Sequence, residues 1–324
     1  METTMRRVAM ITASVLAALA SSPVSAQSRA GQEIPLSDYL GILHTVEATV
    51  AGRAGTFLFD TGGGVSVLSV EFAQQIGCAP WGNLSGFRLS GERLDLKRCD
   101  DVVFDLGNGF SLTSAAAGVF DLKTLLPPDG PVDGILSLDV FVDQPFTLDL
   151  ADGRIILETP ASLAARVEGA VEVPVHFARQ AGGYSITVLA LTETDAGDLW
   201  LQLDSGGVPP LLLAPHAAAA LGVSEAPGPA ETVRLGLGAG ERRATVETSL
   251  TVRPNMIIDG NVGEPTMARM VLTFDLANGK LWARPVPPEV SRPAAPSAPA
   301  PPPRSVRPGR RRRRWRRWRR RSGR

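Results

Sequence analysis

Residues 56–69 read TFLFDTGGGVSVLS, and residues 199–207 read LWLQLDSGG. Each is an apolar run closing on an aspartate, then a hydroxyl residue and two glycines: Asp60-Thr61-Gly62-Gly63 and Asp204-Ser205-Gly206-Gly207. Such a run ending at a Gly turn predicts a strand leading into a tight loop. Further apolar residues follow, and then a short helical pattern that stops at glycine. These patterns are Ser69–Ile76 before Gly77 and Pro215–Leu221 before Gly222. The two stretches are versions of one design.

The likeness extends downstream. Residues 133–154 align without gaps to 259–280, and seven of the 22 pairs are identical: Asp133/Asp259, Gly134/Gly260, Thr147/Thr273, Asp149/Asp275, Leu150/Leu276, Ala151/Ala277 and Gly153/Gly279. Unrelated segments would share about one, so the chain is internally duplicated. Within each copy the texture is β. Runs at 45–50, 56–59, 102–106, 185–191 and 244–252 are rich in Val, Leu, Ile, Thr and Phe. Asp152-Gly153 and Asn278-Gly279 each sit between strand-like runs, a strong hairpin signal. The long helices that a parallel α/β sheet requires are missing. We therefore expect an all-β protein of two similar lobes, joined near residues 159–170. Asp60 to Asp149 spans 89 residues, whereas Asp204 to Asp275 spans 71. The extra residues of the first copy fall in a region that holds both cysteines.

The 324 residues are 44% apolar, enough for a packed core, with only 6% aromatic. Charge is segregated. Residues 27–288 carry 17 basic and 31 acidic side chains, while residues 289–324 carry 14 arginines and one glutamate. At the N-terminus, Arg6-Arg7, the apolar run Val8–Ala20 and Val24-Ser25-Ala26 have the order of a secretory signal peptide cut after Ala26. That apolar run is too short to span a bilayer, so the mature chain is expected to be exported and soluble, in the periplasm or outside the cell. Export in turn favours a disulfide between Cys78 and Cys99. Pro and Ala dominate 285–308, and RRRRRWRRWRRRSGR closes the chain from Arg310 to Arg324. A disordered linker and a cationic tail are expected there. Trp315 and Trp318 among the arginines suit an anionic membrane or lipopolysaccharide surface. Export argues against nucleic acid as a partner. The expected divisions are thus 1–26 leader, 27–165 first lobe, 166–288 second lobe and 289–324 linker and tail.

Several chemistries are excluded. No serine sits in GxSxG, and Gly62-Gly63-Gly64 lacks a P-loop lysine. His44, His176 and His216 are scattered rather than spaced as metal ligands, so neither a metal nor a cofactor is expected. What remains is a pair of aspartates in equivalent places. Two repeats packed about a twofold axis would bring Asp60 and Asp204 together if both lie near that axis. Two adjacent carboxyls do not both ionise readily, so one keeps its proton. The pair would then supply a base for water and an acid for a leaving group. The Thr61 and Ser205 hydroxyls are placed to cross-bond the two loops, and Gly62 and Gly206 are expected to permit the tight turn. The repeated Asp133, Asp149, Asp259 and Asp275 sit in turn contexts and are expected to be structural.

These two loops resemble the active-site loops of pepsin-like and retropepsin-like aspartic proteases, with Asp60-Thr61-Gly62 and Asp204-Ser205-Gly206 as the triplets. Asp133–Phe141, DGILSLDVF, and Ile257–Gly263, IIDGNVG, resemble the second motif of that family. The resemblance covers roughly residues 40–284. It implies two β-barrel-like lobes with a cleft between them, and peptide hydrolysis by a water held between Asp60 and Asp204. The substrate would be a peptide or protein. Both halves lie on one chain, so a monomer suffices. Ser137 stands where the family usually has Gly, and Gly63 and Gly207 where it more often has Ser or Ala. No tyrosine occupies the expected flap near Gly86–Asp95, where Trp81 and Phe87 are the nearest aromatics. These departures place the chain nearer to bacterial duplicated retropepsin-like proteins than to pepsin. They also leave a second reading open, a peptide-binding or scaffold module that keeps the fold without efficient turnover.

Overall fold

The computed structural model describes residues 31–127 and 132–287. The leader expected over 1–26 and the segment expected over 289–324 lie outside the described residues. The duplication is realised strand for strand. In the first half, Leu43–Val50 and Arg53–Phe59 form a hairpin, and Arg53–Phe59 runs parallel to Gly134–Leu136. Gly134–Leu136 pairs antiparallel with Val67–Ser69, which in turn runs parallel to Ser111–Phe120. The second half repeats each step with Thr187–Thr194, Gly197–Asp204, Gly260–Gly263, Leu211–Leu213 and Arg242–Val252. Phe57 faces Gly134 as Leu201 faces Gly260, so the strand registers reproduce the sequence alignment.

Packing explains why glycine recurs at 134 and 260. A Cβ at Gly134 would lie 2.3 Å from the Val67 carbonyl oxygen, and one at Gly260 would lie 2.4 Å from the Leu213 side chain. Those are distances that carbon atoms do not reach without displacing the neighbouring strand. The repeated aspartates hold the same crossings. Asp133 accepts the Thr56 N–H at 2.9 Å and Asp259 accepts the Trp200 N–H at 2.8 Å, tying each strand that leads into an Asp loop to the start of the next motif. Asp149 and Asp275 each accept a backbone N–H three residues on, from Asp152 and Asn278, and so shape the two hairpin turns.

A third sheet joins the halves. Its six strands include Phe146–Asp149 from the first half, paired antiparallel with Met270–Asp275 from the second. Thr147 faces Thr273, and their hydroxyls lie 2.9 Å apart. Equivalent residues face one another only on a symmetry axis, so the pseudo-twofold passes here. Phe146 and Phe274 stack beside it at 4.8 Å. One hydrophobic core runs through both lobes and this shared sheet. The fold is therefore all-β, two barrel-like lobes about an axis. The helix Pro160–Val167, opened by a reciprocal Thr159–Ser162 cap, occupies the stretch where the halves were expected to meet.

The first half departs from symmetry in one large feature. Trp81–Phe87 and Arg93–Asp105 form a hairpin that projects from this half alone. Cys78 and Cys99 are bridged at its base, with Cα atoms 6.2 Å apart. The extra residues of the first copy thus build an arm, and the disulfide fastens it. The sequence pattern placed a strand at 102–106, but the strand begins at Arg93. Its outer portion, RLDLKR, is too charged to read as a half-buried run because the arm is largely solvated. The histidines have local partners: His44 faces Glu264 at 3.7 Å, His176 packs on Trp200 and His216 bonds Asp259.

Candidate active site

Asp60 directly follows one central strand and Asp204 ends its equivalent, and the axis brings the two loops face to face. The loops are locked reciprocally. Thr61 N–H donates to Ser205 Oγ at 3.0 Å, and Ser205 N–H donates to Thr61 Oγ1 at 3.0 Å. Each hydroxyl then donates onward across the axis, Thr61 to the Leu203 carbonyl at 2.9 Å and Ser205 to the Phe59 carbonyl at 3.1 Å. Both side chains are buried, so these four bonds are shielded from water and fix the loops against each other.

The glycines do a different job from the one expected. Neither Gly62 nor Gly206 has a positive φ. Instead, a Cβ at Gly62 would lie 2.3 Å from Asp204 Oδ1, and one at Gly206 would lie 2.5 Å from Asp60 Cγ. Glycine is required because each backbone packs against the opposite carboxyl group. Turn geometry is not the constraint here.

The two carboxyls share a hydrogen bond and sit at the floor of a cleft of about 480 Å³. Burial raises the pKa of both, and the charge of Asp60 raises Asp204 further. Asp60 is the better supported anion: Gly62 and Gly63 N–H both donate to its Oδ1, at 2.8 and 2.9 Å. Asp204 receives Gly206 N–H at 3.1 Å and the Asn261 amide at 2.8 Å. Burial beside the Asp60 charge pushes Asp204 well above the ordinary carboxylate range, which favours the proton of the pair on Asp204. A base and an acid stand side by side, as in the aspartic-protease pattern of two carboxyls holding one proton.

Behind Asp60 runs a polar chain. Ser137 Oγ donates to the Asp60 carbonyl at 2.6 Å, and Ser137 N–H donates to Ser66 Oγ at 3.0 Å. Ser66 donates twice to Asp139 Oδ1, from N at 2.8 Å and Oγ at 2.7 Å, and Ser114 donates to Oδ2. Burial holds the Asp139 carboxyl up at about 6. Sequence reasoning did not single out Asn261, Asp139, Ser66 or Ser114. Asp139 and Asn261 lie inside the quoted second motifs, but each occurs in one copy only, opposite Pro265 and Ile135, so the repeat gave no signal for them.

The hairpin arm is the flap. Its tip, Arg88 to Glu92, closes with a Gly91 N–H to Arg88 carbonyl bond at 2.8 Å and bends over the cleft. Two bonds tie it to the second lobe: Leu89 carbonyl to Ile257 N–H at 2.9 Å, and Phe87 N–H to Gln180 Oε1 at 2.6 Å. Phe87 lines the cleft. Trp81 does not; it sits at the base of the arm, stacked under Arg98 at 4.3 Å and bonded to Asp100.

No protein-family profile matches the chain, and no curated protein matches it. Solved structures do. Conglutin gamma, a basic 7S globulin of lupine seeds, superposes with a TM-score of 0.53 at 11% identity, covering 78% of this chain and 94% of its own. Basic 7S globulin from soybean gives 0.51 at 10% identity, with the same coverages of 78% and 94%. A likeness at that identity speaks for architecture alone, and the architecture shared with these globulins is the two-lobed acid-protease fold.

Proposed function

We propose that this chain is an aspartic-type endopeptidase that hydrolyses peptide bonds with a water activated between Asp60 and Asp204. The observation that carries the reading is the adjacent carboxyl pair, its loops locked by Thr61 and Ser205, lining one cleft. The water oxygen attacks the carbonyl carbon while its proton passes to Asp60 and the Asp204 proton moves to the carbonyl oxygen. In the second step the C–N bond breaks. The leaving nitrogen takes the proton from Asp60, and the diol returns one to Asp204. Two halves on one chain and a flap without tyrosine support the single-chain retropepsin-like type, working as a monomer and without a cofactor.

The Cys78–Cys99 bridge supports an oxidising compartment, and with it export through a leader at 1–26. We assign Arg310–Arg324 to an anionic membrane or lipopolysaccharide surface. The second reading, a peptide-binding module, is favoured by one feature: the two bonds that tie the flap across the cleft. Asp60→Asn and Asp204→Asn separate the readings. In a peptide-library digest each should lower turnover by roughly 10⁴-fold or more, because the two carboxyls act as one unit. Near wild-type turnover in either variant, or no turnover by the parent protein alongside peptide binding that survives both substitutions, overturns the enzyme.

A further inference from the structure

The two walls of the cleft are unlike, although the folds that build them are equivalent. On the first-lobe side the wall is apolar: Val67, Leu94, Leu96, Phe120, Leu125 and Ile135. On the second-lobe side it is polar: Gln180, Ser185, Thr187, Gln202 and Arg253. Register identifies the exchanges. Leu58 and Gln202 are equivalent, as are Ile135 and Asn261, because they face each other on paired parallel strands in the two halves. Phe120 faces Ser69 as Val252 faces Leu213, so Asp121 corresponds to Arg253.

After this point the two walls diverge. In the first lobe, Asp121 caps a short helical turn, Leu122–Thr124, that presents Leu125 to the cleft. In the second, Arg253 opens a turn through Asn255, which has a φ of 62°, that carries Ile257 to the flap tip. The charged groups lining the cleft, apart from the aspartate pair, are Arg88, Glu92 and Arg253. Arg88 and Glu92 pair with each other at 3.4 Å. Among the described residues, the Arg253 guanidinium has no hydrogen-bond or ion-pair partner. Arg253 is thus an exposed, uncompensated cation on one wall, and the other wall is hydrocarbon.

Resting on the endopeptidase reading, we infer that the cleft selects peptides with a bulky apolar side chain on one side of the scissile bond and an acidic side chain on the other, the acid being held by Arg253. The apolar wall gains by burying hydrocarbon, and Arg253 gains by pairing with a carboxylate. A lysine in that place would meet like charge.

Peptides that carry Leu beside Glu, Gln, Leu or Lys, in both orders, test this on the full chain. Cleavage is followed by mass spectrometry, and binding to the Asp60→Asn protein by fluorescence anisotropy. In one order, Glu should exceed Lys by roughly tenfold in kcat/KM and in affinity, as expected for exchanging an attractive exposed pair for a repulsive one. Arg253→Glu should invert that ratio, and Arg253→Gln should bring it near unity. Binding that shows the acid preference without any cleavage would remove the hydrolase reading and keep this one. Glu and Lys peptides bound and cut alike, or a ratio that Arg253→Glu leaves unmoved, overturns it.

Discussion

Behind Asp60 the first lobe places a buried carboxyl and three serines; behind Asp204 the second lobe places an amide and two threonines. Ser66, Ser114, Ser137 and Asp139 form the first set. In the second, Asn261 bonds Asp204 itself, while Thr266 donates to the Pro210 carbonyl at 2.7 Å and pairs with Thr248. The same backbone therefore supports its aspartate in two ways. In one half the loop is held through its main-chain carbonyl, by Ser137. In the other the side chain is held directly, and Gly263 leaves no space for a Ser137 equivalent. The difference teaches that a duplicated fold repeats its backbone and is free to divide the chemistry. One carboxyl is left to carry charge on backbone donors, and its partner is left to carry the proton.

Exchanging the two residues that mark this division breaks the comparison most severely. A Cβ at Gly263 would lie 2.1 Å from the Pro209 carbonyl oxygen and 2.6 Å from that of Gly207. Gly263→Ser should cost about 4 kcal/mol, since overpacking against main chain cannot relax by a rotamer change. Urea denaturation measures it, and a loss below about 1 kcal/mol would show that the second loop tolerates the first loop's support.

Asp139 gives a smaller, pH-dependent effect. Its carboxyl rises from 3.8 to about 6 in the folded protein, so the folded state binds the proton more tightly than the unfolded one. Stability from this group is complete below the unfolded value and declines as pH rises through about 6. The decline amounts to about 2 to 3 kcal/mol between pH 4 and 7. Asp139→Asn should remove that slope, because an amide keeps one acceptor for Ser66 and can donate to Ser114. Unfolding midpoints at several pH values decide the matter; parallel curves for the two proteins would refute it. The second lobe's paired hydroxyls, Thr248 and Thr266, do not titrate, so Thr248→Val should give no matching slope.

The mildest change is Ser137→Gly, which gives the first loop the second loop's residue. It removes the bond to the Asp60 carbonyl and leaves the Gly62 and Gly63 donors to the carboxyl in place. We expect a loss of about 1 kcal/mol in stability and retention of the Asp60 charge. Denaturation together with the acid limb of the pH–rate profile checks both. An acid limb displaced by a full pH unit would mean that Ser137 sets the ionisation of Asp60.

The duplication, the aspartate pair, the Thr61–Ser205 lock and the two hairpin turns were legible in the sequence. Each is written in a few contiguous residues, and most are written twice, so a second copy confirms the first. The Cys78–Cys99 bridge was legible by elimination, being the only pair available. Tertiary structure alone decided the rest. Glycine at 62 and 206 read as turn chemistry until each proved to face the opposite carboxyl, 144 residues away in sequence for the two hydroxyls that lock them. Asn261, Asp139 and Arg253 are single polar residues whose counterparts, Ile135, Pro265 and Asp121, differ from them. Nothing local distinguishes such residues from any surface amide or charge. Asn261 meets Asp204, Asp139 meets two distant serines and Arg253 shares its cleft with an apolar wall, and only the crossing of strands about the axis brings these groups together.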